Sequence, residues 1–162
     1  MTNRSAIVLA FLPIVLLATG RSARANDRDT LKNLRAVDVL IEGLPPEVER
    51  DGLTTEELRA DVESRLRQSG LQVTTDASEA IYVNLNAHRT TMPDDRYIYN
   101  VEVDVNQPVA VLRTNALTLA ATWSRATVGI TPVSRFPQSA KDDVHDLIDR
   151  LLADYMSVNP KP

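Results

Sequence analysis

The residues best equipped for chemistry are few: two histidines, no cysteine, and several carboxylates spaced to act in pairs. Without a thiol there is no thiolate nucleophile, no thiolate metal ligand and no disulfide. His88 stands beside Arg89 and a few residues ahead of Asp94 and Asp95. Folded back across a turn, those acids would give it a general-base cluster or a weak cation site, since both chemistries set an imidazole against carboxylates. A solvated hairpin end explains the same residues more simply. His145 has Asp142 three residues before it and Asp149 four after, which on a helix puts all three within reach of one another. No third strong ligand is identifiable there, and no His-Glu-x-x-His pattern occurs. Glu102 and Asp104 lie two apart on an alternating run, roughly 7 Å at the backbone, a separation a glycosidase-like pair tolerates. An exposed sheet face accounts for them equally. The serines have no Gly-x-Ser-x-Gly setting, and the five glycines form no phosphate-cradling loop. No cofactor and no metal are implied.

The elements that would position these residues are well marked. Val37, Val39 and Ile41 alternate within Ala36 to Glu42, a half-buried strand stopped by Gly43-Leu44-Pro45-Pro46. Thr54 and Glu57 make a capping box, Leu53 and Leu58 a hydrophobic staple, and Leu58, Val62 and Leu66 one apolar face, with Gly70 as C-terminal stop. The spacing predicts a helix over Thr55 to Ser69. Leu71 to Thr74 reads as a short strand. Ile81, Val83, Leu85 and Ala87 then alternate with Tyr82, Asn84, Asn86 and His88, and after a turn around Pro93, Asp94 and Asp95 the odd positions Tyr97 to Val105 alternate with Ile98, Asn100, Glu102, Asp104 and Asn106. These predict a hairpin. Val109 and Val111, then Leu117, Leu119, Ala121 and Trp123, predict a second one turning at Thr114-Asn115, with Trp123 in phase with the leucines and directed to the core. Pro108 cannot donate to a ladder, so a bulge, break or edge position is expected near Gln107-Pro108. From Ser139 to Met156, Val144, Leu147, Ile148, Leu151, Leu152 and Tyr155 form an apolar stripe, with Asp142 and Asp143 expected in the first turn. The fold expected is an α+β two-layer sandwich in the order β-α-β-β-β-β-α, mainly antiparallel, with both helices on one sheet face.

The N-terminal segment predicts export. Arg4 precedes an apolar stretch from Ala6 to Ala18, and Ala23-Arg24-Ala25 has the small-x-small pattern of a signal-peptidase site before Asn26. The apolar stretch is shorter than the roughly 20 residues a membrane span needs, which favours cleavage over an uncleaved anchor. The expected organisation is a signal peptide over 1–25, one domain over 26–158, and a loose tail over 159–162. The full chain carries 18 basic and 22 acidic residues, and three of the basic ones precede Asn26, so the remainder has a formal charge of −7. That balance disfavours phosphate backbones and hence nucleic acid. No later stretch is long and apolar enough to span a membrane.

Gly52-Leu53-Thr54, Leu66 through Gly70-Leu71, Tyr82-Val83-Asn84, Gln107-Pro108-Val109 and Thr122-Trp123 lie along most of the chain after residue 25. In these motifs the layout resembles small, uncharacterised exported bacterial proteins that form a domain of unknown function. The resemblance implies compartment and approximate fold, and no mechanism.

The polar alternation faces one way. Tyr82, Asn84, Asn86, Asn100, Glu102 and Asp104 would form an adhesive surface if no helix covers them. The expectation is a periplasmic or secreted binding or assembly module that meets an envelope protein, peptide or glycan through this face. The alternative is a hydrolase or metal-dependent enzyme centred on His88.

Overall fold

The computed structural model describes residues 26–90 and 94–160. The expected signal segment, with Ala23 and Ala25, and Pro93 of the first hairpin turn lie outside the described residues. Five strands form one sheet: β1 (Ala36–Ile41), β2 (Gln72–Val73), β3 (Ala80–Thr90), β4 (Arg96–Val111) and β5 (Ala116–Pro132). Three helices accompany them: α1 (Pro46–Arg50), α2 (Thr55–Ser69) and α3 (Phe136–Val158). The sheet order is β2-β1-β3-β4-β5, with β1 parallel to β2 and β3 and the other neighbours antiparallel. The α+β class holds, with the parallel pairing of β1 and β2 following from α2, which crosses between them.

α2 forms for local reasons. The Glu57 N–H donates to Thr54 Oγ1, and Gly70 closes the helix in the left-handed region at φ 94° while the Leu71 N–H reaches back to the Leu66 carbonyl. The capping box is only half made. Glu57 turns its carboxylate to Lys141 Nζ on α3 instead of back to the Thr54 N–H. Leu53 and Leu58 are both buried, so the hydrophobic staple is in place.

α3 starts earlier than its apolar stripe suggests. Phe136 opens it and Pro137 occupies its first turn, where an absent N–H costs nothing. Asp142 and Asp143 therefore sit past the first turn, with other partners: Asp143 Oδ2 accepts from Tyr99 Oη at 2.7 Å, and Asp142 Oδ1 from Gln138 Nε2 at 2.8 Å. Its stripe of Val144, Leu147, Ile148, Leu151 and Leu152 is buried. At the far end Asn159, the first residue of the expected loose tail, accepts from the Asn33 N–H and donates to the Leu31 carbonyl.

α2 and α3 cover one sheet face, and the core lies between them and the odd-numbered residues of β1, β3 and β4. Tyr97 and Tyr99 pack on Phe136, with centroids 4.1 and 5.2 Å apart. Tyr99 pairs directly across the sheet with Gly129, and a Cβ there would lie 2.3 Å from Tyr99 Cζ. Glycine is required because the ring lies over it.

The second hairpin departs from the expected phase. Val105 pairs with Trp123 but Asn106 pairs with Ala121, so Thr122 is an extra residue in β5. Its hydroxyl lies 3.2 Å from the Val105 carbonyl and 2.5 Å from Gln107 Oε1. This bulge reverses the alternation: Trp123 is buried as expected, but Leu117 and Leu119 point to the opposite face and are exposed. Pro108 stays in β4, paired with Leu119, beyond Asn106, the last residue of β4 paired to β3. It has no β3 neighbour to which an N–H would donate.

Candidate functional surface

The sheet face away from the helices carries the polar half of each alternation. Pairing places its residues in rows across the strands: Leu40, Tyr82, Asp104 and Ser124; then Asn84, Glu102 and Ala126; then Asn86, Asn100 and Val128; then His88, Ile98 and Ile130. All six expected binding residues therefore adjoin on one surface, and among the described residues no helix lies over it.

One end of this surface is acidic. Asp38, Glu42, Glu102 and Asp104 belong to it, and none has a basic partner among the described residues. Tyr82 Oη donates to Glu42 Oε2 at 2.6 Å, Asn86 Nδ2 to Asn84 Oδ1 at 2.7 Å, and Ser124 Oγ to Glu102 Oε1 at 3.4 Å. Asp104 Oδ1 is shielded from solvent and has no hydrogen-bond donor among the described residues. The Glu42 carboxylate that accepts the Tyr82 hydroxyl pushes that phenol above its ordinary pKa, and the charges of Asp104 and Glu102 add to the effect.

The other end is apolar. Ile98, Val128 and Ile130 are exposed there, and Pro45, Ala87, His88 and Ile98 help to line a shallow hollow of about 350 Å³ that also touches Asn86, Asn100 and Val128. This hollow was not legible in the sequence, since its walls come from separate segments.

The two histidine clusters do not assemble. His88 faces the open side, but Asp95 is held by Arg89 through Nε and Nη2 at 2.8 and 2.5 Å, and Asp94 by Arg96 at 3.2 Å. Arg89 draws the Asp95 carboxyl below its usual range, and Arg89 also meets Asp51, which accepts from Tyr97 Oη at 2.7 Å. Burial first, and then Asp51, push the Tyr97 phenol up to about 12. The acids expected beside His88 are thus consumed by a structural network. His145 faces Asp61 of α2 at 3.6 Å, while Asp149 pairs with Arg65 at 2.8 Å, so the helical trio disperses between two helices. Asp61 was missed because its partner is set by helix packing. Among the described residues no group of three His, Cys, Asp or Glu side chains is placed to hold a metal, and no helix is long and apolar enough to cross a membrane.

No family model and no curated protein matches the chain. Among solved structures it is similar to a hypothetical protein from Chlamydia trachomatis, at 10% identity and TM-score 0.47, covering 76% of this chain and 98% of that one. It is also similar to a minor lipoprotein from Acinetobacter baumannii, at 10% identity and TM-score 0.40, covering 81% and 99%. Likeness at this level leaves the chemistry of the surface to be argued from its own residues.

Proposed function

We propose that the chain is an exported, non-enzymatic binding or assembly module of a bacterial envelope, and that the open sheet face is its contact surface. The basic, apolar and small-x-small pattern over residues 1–25 supports export with cleavage after Ala25. The observation that carries the binding reading is the open face itself. Tyr82, Asn84, Asn86, Asn100, Glu102 and Asp104 adjoin there, and among the described residues no layer covers them and no basic side chain pairs with the acids of the face. Carboxylates and amides arrayed on a rigid sheet recognise a partner by charge and hydrogen bonding at little ordering cost. The partner on this reading is an envelope protein, a peptide or a glycan.

The test is in-cell cross-linking of the processed protein followed by mass spectrometry of the adducts. Replacing Asn84, Asn100 and Glu102 together with alanine is expected to reduce recovery of the principal adduct at least tenfold, with the far-ultraviolet circular dichroism unchanged. Undiminished capture by that variant would remove the face as the binding surface.

A further inference from the structure

Beyond Asn106 the β4–β5 hairpin leaves the rest of the sheet. The pairs from Gln107 with Ala120 to Val111 with Ala116 have no β3 partner, and a two-stranded ribbon is marginal alone in water. Yet this arm exposes large apolar side chains: Leu112 is 93% exposed, Leu117 81% and Leu119 65%. Leucines presented in this way mark a contact surface.

The arm's charge is as distinctive as its apolarity. From Val105 to Lys141 the chain contains no Asp or Glu, and Arg113 is the one charged residue between Asp104 and Arg125. Arg113 forms no ion pair among the described residues. The tip is therefore an exposed leucine, Leu112, next to an uncompensated cation. The open face offers the complementary pair: an apolar hollow at Ile98 and Val128, and one row along, roughly 7 Å away, the carboxylate of Glu102 with Asp104 beyond it.

We propose that the hairpin arm of one copy docks on the open sheet face of the next, with Leu112 seated in the hollow beside Val128 and Arg113 against Glu102. This rests on the binding-face reading and names the partner as a second copy of this chain. The contact is heterologous, because arm and face are different surfaces, so it propagates from copy to copy and closes into a ring or extends as a filament.

The experiment is sedimentation velocity with the protein expressed from its full chain, over a concentration series up to several hundred micromolar. The wild-type protein is expected to sediment as species larger than a monomer. Leu112→Asp and, separately, the pair Val128→Asp with Glu102→Lys are each expected to weaken association at least tenfold with unchanged circular dichroism, because all three positions are partly or wholly solvent-facing. An equimolar mixture of the arm variant and the face variant retains one intact contact. It is expected to give a 1:1 heterodimer and nothing larger, which an arm-to-arm or face-to-face dimer does not give.

Monomeric wild-type protein throughout the series, association that survives Leu112→Asp, or no heterodimer in the mixture each overturns the proposal. A monomer that floats with anionic phospholipid vesicles only while Leu112 is intact overturns it in favour of a lipid contact. The two readings fail separately. If the wild-type protein stays monomeric but the Val128→Asp, Glu102→Lys variant still loses its cross-linked envelope adduct, the binding face stands and only the identity of its partner falls.

Discussion

Gly129 shows how one residue's absence of a side chain fixes the packing of several others. The Tyr99 ring lies over it, with Phe136 on one side and its hydroxyl donated to Asp143. A methyl group at 129 displaces the ring, and the ring can move only by giving up the Phe136 contact or the Asp143 hydrogen bond. Gly129→Ala is expected to destabilise the domain by about 1–3 kcal/mol, the range for overpacking a tight core. Thermal unfolding would show this as a fall of about 4 °C per kcal/mol for a domain of this size. The double variant Gly129→Ala, Tyr99→Leu decides the cause, since removing the ring removes the clash and makes the two losses less than additive. Additive losses would place the cost elsewhere. The same crowding is invisible in the sequence, where Gly129 sits in an ordinary alternating run and nothing marks Tyr99 as its partner.

Elements whose causes are local were legible, and those whose causes are distant were not. α2 was readable from end to end because its cap, staple, apolar face and left-handed stop all lie within Leu53 to Leu71. The polar face was readable because β3 and β4 keep an unbroken period of two, so pairing needed only to bring the two strands together. The second hairpin was misphased at Thr122, whose bulge is held by Val105 and Gln107 on the opposing strand. No local property of Ala121-Thr122-Trp123 announces it. Because the chain has no cysteine, the phase can be read directly by labelling single introduced thiols. Leu119→Cys is expected to react at close to the rate of a free thiol, and Val105→Cys orders of magnitude more slowly, through opening of the fold. Equal protection at the two positions would mean that the alternation runs unbroken through β5 and that Leu119 faces the helices.

The whole molecule is built with its core at one end of the β4–β5 hairpin and its least protected surface at the other. Burial ends at Val105 and Trp123, where Trp123 Nε1 donates to Asp154 and Arg125 lies 4.8 Å over the indole while paired to Asp27 and Asp154. This cluster ties the short helical turn Asp27–Leu31, β5 and α3 together, so the cooperative unit is complete without the arm. β5 is also a 17-residue edge strand, and its outer half, Ala116 to Ser124, carries neither a charged residue nor a proline, two of the devices that usually protect an edge. A structural role for the arm predicts that removing it unfolds the protein; a contact role predicts that it does not. Joining Gln107 to Ala120 through a short glycine-containing turn excises the arm with Leu112, Arg113, Leu117 and Leu119. Measured by thermal and urea unfolding at a dilution where the chain is monomeric, the excised protein is expected to stay within about 1 kcal/mol of the parent, as surface changes away from the core do. Self-association is expected to disappear in the same protein at high concentration. A loss of several kcal/mol would make the arm part of the folding unit, and its exposed leucines would then need a structural explanation; retained stability with lost association leaves the arm only its contacts with another molecule.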